Sequence, residues 1–144
     1  MLRISSLAKV AAATALSAVV GLSANAADRV SDFSLVDHNG KFFQLSRQAN
    51  FDAIVMLAHE DSRDVRRAAS ELADLTEQFA DQNVGFYLID STGSGDQAEM
   101  REIAEDADID LPILIDEGQL VAAELGITRA TDVVILDPEA KEVV

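Results

Sequence analysis

The chain of 144 residues holds no cysteine and sets 26 acidic against 11 basic side chains, for a net charge of −15. The absent sulfur excludes disulfides, thiolate nucleophiles, lipid attachment at a cysteine and every cysteine-ligated metal site. So acidic a surface repels nucleic acid and anionic lipid, and neither is expected as a partner.

Residues 1–26 read as a secretory signal. Met1 to Lys9 carries the cations Arg3 and Lys9 and no acid, and Val10 to Leu22 is an apolar run of small residues. Ser23-Ala24-Asn25-Ala26 then places small side chains at −3 and −1 for a cut between Ala26 and Ala27. The run is too short for a membrane span and shows no helical stripe. Asp28 and Arg29 follow directly, with no later apolar stretch of spanning length. The expectation is export, to a bacterial periplasm or else to the medium, with no membrane attachment once the signal is removed. Losing Arg3 and Lys9 while keeping all 26 acids takes the net charge from −15 to −17. Residues 27–144 remain, enough for one small domain with a core of its own.

Ser31 to Val36 alternates polar and apolar residues as a half-buried strand does, and Asn39-Gly40 turns it into a return strand over Lys41–Leu45. Ala53 to Ala58 is a continuous apolar run, as in a strand covered on both faces. Val65, Ala68, Ala69, Leu72, Leu75 and Phe79 then fall at helical spacing, opposite Arg63, Arg66, Arg67, Asp74 and Glu77. Asp61 or Ser62 is placed to cap this helix, and Asp81-Gln82-Asn83 to end it. Val84 to Ile89 predicts a second buried strand, and Ser91 to Asp96 a loop. Met100, Ile103, Ala104 and Ala107 mark another amphipathic helix. Leu111 to Asp116 predicts a strand with Pro112 at its start, where a missing donor is tolerated. Leu120 to Leu125 predicts a short helix stopped by Gly126, and Asp132 to Leu136 a further strand. Glu142-Val143-Val144 begins what should be an edge strand.

Strands alternating with helices predict an α/β sandwich around a largely buried ribbon of five strands. No helix follows to cover the last side of the sheet. Residues 27–144 are therefore expected to be a domain cut short at its C-terminus, with core exposed on one face.

The order of these fragments resembles a known family. Val30 to Ser46 is similar to the "D-F-x-L-x-D-x-x-G-K-x-x-x-L-S" opening hairpin of redoxins, the alkyl hydroperoxide reductase/thiol-specific antioxidant branch of thioredoxin-like proteins. Ala53 to Ala58 resembles the strand before the reactive loop, and Ser70 to Leu75 the "P-E-L-x-x-L" of the helix after the active cysteine. Leu111 to Asp116 is similar to "F-P-x-L-x-D", Glu124 to Thr128 to "x-Y-G-V-x", and Val134 to Asp137 to the strand beyond the cis-proline loop. The resemblance implies a thioredoxin-like three-layer sandwich with an N-terminal β-hairpin and with its C-terminal helix missing. It also implies antioxidant thiol chemistry, which this chain contradicts at the positions that matter. The family's active cysteine falls on Ser62, its helix proline on Ser70 and its cis-proline on Thr131. A serine hydroxyl ionises far above the ~8.5 of a cysteine and forms no disulfide.

The remaining candidates gather where that active site would lie. His59, Glu60, Asp61 and Ser62 follow a predicted strand, a common place for sites in α/β folds. His59 could serve as a metal ligand with Glu60 or Asp61, or as a base for Ser62. Chain neighbours rarely converge on one atom, and His38, in a hairpin turn, is not at ligand spacing, so no metal and no cofactor is expected. His59 to Ser62 then reads as a solvated cap and loop. Arg63, Arg66 and Arg67, with Arg129, form a basic patch fit either for a small anion at the helix start or for ion pairs with surrounding acids. Asp90 to Gly95 lacks the lysine and spacing of a phosphate loop and reads as a surface connection. The expected function is a binding or scaffolding module that contacts a protein partner or small anion through His59, Asp61, Ser62, Arg63, Arg66, Arg129 and Thr131. The alternative is a peroxide or thiol-disulfide oxidoreductase using a thiol supplied in trans or by a missing C-terminal segment.

Overall fold

The computed structural model describes residues 28–144, so the signal segment and its cut between Ala26 and Ala27 lie outside the described residues. Two continuous apolar runs form the centre of the sheet. β4 (Ala53–His59) and β5 (Val84–Asp90) pair in parallel from Ala53 opposite Val84 to His59 opposite Asp90. Between them runs α1 (Arg63–Gln78), whose buried Val65, Ala69 and Leu72 recur at helical spacing. A second helix, α2 (Gln97–Asp106), joins β5 to β6 (Ile113–Ile115), again in parallel. Helical crossovers are what parallel neighbours require.

The other strands complete one eight-stranded sheet. These are β1 (Asp28–Arg29), β2 (Ser34–Asp37), β3 (Phe42–Gln44), β7 (Val133–Asp137) and β8 (Glu142–Val143), in the order β1-β8-β7-β4-β5-β6-β2-β3. β7 runs antiparallel to β4, and β2 antiparallel to both β3 and β6. The hairpin turn rests on Asp37, whose carboxylate accepts from the Asn39 and Lys41 N–H groups, and on Gly40 at φ +83.

The alternation along β4 divides two cores. Val55 and Leu57 lie on one face with Phe86 and Leu88, against α1 and Met100 and Ala104 of α2. Ile54 and Met56 lie on the other with Leu114, Val134 and Leu136. There Phe33, Phe43 and Leu45 cover the sheet, together with Val121 of α3 (Leu120–Glu124) and with Leu125. The helices α1 and α2, the sheet, and the segments at Phe33 and Leu45 with α3 are the three layers.

Two expectations need correction. The sheet is wider than five strands, because β2–β3 joins it through β6 and a strand at Asp28–Arg29 joins it through β8. Glu142–Val143 is therefore not the edge: it bonds β7 on one side and β1 on the other. The expected exposed core is present. Val133 and Ile135 of β7 are 54% and 44% exposed on the α1 face.

Candidate functional site

The C-terminal ends of β4 and β5 and the entry to β7 meet at one end of the sheet. The segment before β7 is clamped there by two backbone bonds. The Thr131 N–H donates to the Ala58 carbonyl at 3.1 Å, and the Ala58 N–H to the Asp132 carbonyl at 2.8 Å. Thr131 sits at φ +73, left-handed backbone that costs a non-glycine residue about 1–2 kcal/mol. No described peptide bond is cis. Thr131 thus makes the turn into β7 by backbone strain in a trans chain.

Ser62 begins α1. Its backbone is extended, and its Oγ accepts from the Val65 N–H at 3.4 Å. The hydroxyl serves as a helix cap, the part its position in the sequence predicts. Asp61 Oδ1 accepts from Nε and Nη2 of Arg66 at 3.0 and 2.6 Å. Arg67 pairs with Glu71 at 3.2 Å and Arg129 with Asp132 at 3.6 Å. The carboxylate of Asp132 also accepts from the Thr128 and Arg129 N–H groups, and these bonds hold its pKa below the ordinary carboxylate value. Of the four arginines, three are therefore held by acids, and only Arg63 makes no ion pair among the described residues.

His59 is not the loop residue its sequence position implied. It closes β4 and is fully buried on the α1 face, opposite Asp90, because strand pairing continues one residue beyond the apolar run. Neither ring nitrogen has a hydrogen-bond partner. Burial lowers the imidazole pKa below 6.5, against the pull of Asp90 and Asp61. His59 thus neither activates Ser62, whose oxygen is turned to Val65, nor reaches a partner at the surface.

Asp90 is the residue that sequence reasoning missed. Its Oδ1 accepts from the Thr92 N–H and Oγ1 at 2.9 and 2.7 Å, while its Oδ2 is buried without a partner. Its signal was present in the period-two run Val84, Phe86, Leu88, which puts position 90 on the same inward face. Of the Asp90–Gly95 stretch read as a surface connection, only Ser91–Gly95 is one, Asp90 being buried at the end of β5; Ser91 Oγ ties it back by donating to the His59 carbonyl at 2.8 Å.

The predicted cluster therefore divides. Asp61, Ser62, Arg63 and Arg66 stand at the start of α1 and His59 lies beneath them. Arg129 instead lines a polar cavity of about 550 Å³ with Glu60, Ser91, Gln119 and Thr128. Glu60, next to Asp61 in the chain, also lines that cavity, so the two places share one rim.

The AhpC/TSA family model matches residues 26–141. No curated protein matches the chain in sequence. Among solved structures, the chain is similar to the peroxidoxin BcpB from Mycobacterium tuberculosis. The TM-score is 0.66 at 24% identity, covering 83% of this chain and 84% of that one. It is also similar to the exposed lipoprotein thioredoxin Etrx1 from Streptococcus pneumoniae, with TM-score 0.65, 19% identity, and 79% and 86% covered. For dsbF of MTB the values are 0.64, 18%, 78% and 83%. At these identities the likeness establishes the thioredoxin-like fold. With a family model spanning the described domain and a fold to match, the chain belongs to the AhpC/TSA family.

Proposed function

We propose that this is an exported redoxin-family protein without thiol catalysis, acting as a binding or scaffolding module through the end of the sheet around Asp61 to Arg66 and Arg129 to Thr131. The observation that carries this reading is Ser62. By the resemblance it falls at the family's cysteine position; its hydroxyl caps α1, and the chain has no cysteine at all. The ligand is a protein surface or a small anion, for which Arg63 supplies an uncommitted charge and the Arg129 cavity a polar recess. His59 takes part only as buried support. Assays for peroxide consumption and for disulfide reduction with the purified chain are expected to be blank. Turnover in either assay with a thiol reductant present, above the rate of the reductant alone, defeats the reading.

Export rests on the three-part layout of residues 1–26. A C-terminally tagged chain is expected in the periplasmic fraction with its N-terminus at Ala27. An uncut cytoplasmic product contradicts it. Among the described residues no helix is long and apolar enough to cross a membrane.

A second reading is favoured by the family itself and by a neighbour named as a peroxidoxin. In it the scaffold still guides redox chemistry with a thiol supplied in trans. Peroxide turnover that appears only with added small thiol, and falls in Arg66→Ala, supports this alternative.

A further inference from the structure

Hydrogen bonds inside the wall of the polar recess beside Arg129 decide what that recess can accept. Ser91 Oγ donates to the His59 carbonyl at 2.8 Å, Thr128 Oγ1 to Asp132 Oδ2 at 3.3 Å, and Gln119 Nε2 to the Ser91 carbonyl. The N–H groups of Ser91, Ala122, Ile127, Thr128 and Arg129 are engaged too, on His59, Asp116, Ala122 and Asp132. Donors are thereby turned into the wall. What the side chains keep is acceptor capacity, in the lone pairs of both hydroxyls and in Gln119 Oε1. Two charged groups line the recess, and they are not equivalent. Arg129 is paired with Asp132 at 3.6 Å, whereas the exposed Glu60 carboxylate has no hydrogen-bond or ion-pair partner among the described residues.

We propose that this recess binds a primary ammonium group on an aliphatic stem, as carried by a lysine side chain or a free polyamine. An ammonium offers three donors and no acceptor, the complement of a wall rich in lone pairs, and Glu60 supplies the opposite charge. The volume of about 550 Å³ is that of a small-ligand site, and Ala122, Ile127 and Ala130 give the stem apolar surface. A small anion does not suit this recess. It needs donors, which the wall has turned away, and it meets Glu60 and Asp132 against the single cation Arg129. The net charge of −15 draws cations towards the same mouth. This ligand deepens the reading of the sheet end proposed above, on which it rests, and leaves a small anion only the corner at Arg63.

The test follows backbone amide shifts of the full chain by NMR during titration with N-acetyl-lysine methylamide, spermidine, N-acetyl-norleucine methylamide and sodium sulfate. The lysine derivative is expected to bind at least about tenfold more tightly than the norleucine one, moving the amides of Ser91, Thr128 and Arg129. Its affinity should fall as salt rises. Glu60→Gln, at a side chain that bonds nothing, is expected to lose at least about tenfold. Arg129→Ala removes the competing cation and is expected to tighten ammonium binding by about threefold. Weakening in that variant overturns the proposal. Stronger Glu60-dependent binding of spermidine assigns the site to a free polyamine, the reverse order to a lysine of a protein, and either result supports the proposal. Equal binding of the norleucine derivative, unchanged affinity in folded Glu60→Gln, or no shift with any probe overturns it. Shifts at those amides with sulfate alone also overturn it, yet leave the binding-module reading standing. Turnover in the redox assays, measured separately, defeats that reading without moving the amine titration.

Discussion

His59 on β4 and Asp90 on β5 are partners in the parallel ladder, both fully buried, and each keeps polar atoms that bond nothing. A hydrogen bond forgone in a buried place costs about 1–3 kcal/mol per group. The end of the sheet beneath α1 is therefore a point of stored instability inside an otherwise apolar core.

Acid is expected to release it. Burial lowers the pKa of His59 in the folded chain, so the unfolded chain, titrating near 6.5, binds the proton first. Stability present at neutral pH is then lost as pH falls below about 6.5, by at most about 1.4 kcal/mol per pH unit per group. His38 is lowered in the same direction, chiefly by burial, and adds to the effect. Asp32 and Asp132, held low by hydrogen bonds, contribute only below 3.8. Urea unfolding at pH 7.5 and 5.5 should show a smaller loss in His59→Leu than in the wild type. Identical losses would contradict the assignment.

At pH 7.5 the same His59→Leu substitution removes two unpaired nitrogens and keeps a side chain of similar bulk. It is expected to leave stability unchanged or raise it by about 1 kcal/mol. A loss above about 2 kcal/mol, read from the urea midpoint at constant slope, would show a partner for the ring that the fold does not display.

Ser62→Ala removes a cap whose bond to Val65 is long, at 3.4 Å. The expected cost is about 0.5–1 kcal/mol, at the low end for caps. Ser62→Cys places a lone thiol at the helix N-terminus beside Arg63 and Arg66, where its pKa should fall below ~8.5. The pH dependence of iodoacetamide alkylation measures it. An ordinary or raised value would mean that Glu60 and Asp61 dominate the site.

Asp116 is nearly fully buried and accepts from the N–H groups of Val121 and Ala122 at 3.2 and 2.7 Å. Without it a five-residue helix has no side-chain anchor at its start. Asp116→Ala is expected to cost about 1–3 kcal/mol and to speed amide exchange in α3 before the sheet is affected. Uniform loss of protection would instead make α3 part of the global unfolding unit.

Leu57 packs at the centre of the core beneath α1 and is 2% exposed. Leu57→Ala should cost about 2–5 kcal/mol by denaturant titration, whereas Ile135→Ala, on the bare face, should cost under about 1 kcal/mol. Comparable values for the two would mean that this face is covered in solution.

Residues 1–26 aside, the order and type of nearly every element could be read in the sequence, along with the redoxin resemblance and the absence of cysteine. Those properties are local. An apolar run, a helical stripe at Val65 to Phe79, or a cap at Ser62 is specified by residues a few positions apart. What tertiary structure decided was everything that depends on distant partners. Asp28 and Arg29 form a strand because backbone bonds to Glu142 and Val143 complete it, over a separation of 113 positions between Arg29 and Glu142. His59 passed from loop to core because pairing with Asp90 carries β4 one residue further and α1 packs on that face. The arginines were visible as a patch, but their neutralisation by Asp61, Glu71 and Asp132 is a matter of side-chain geometry. Periodicity encodes which face a residue presents; only packing determines what meets that face, and on the α1 side of β7 it leaves the apolar surface bare.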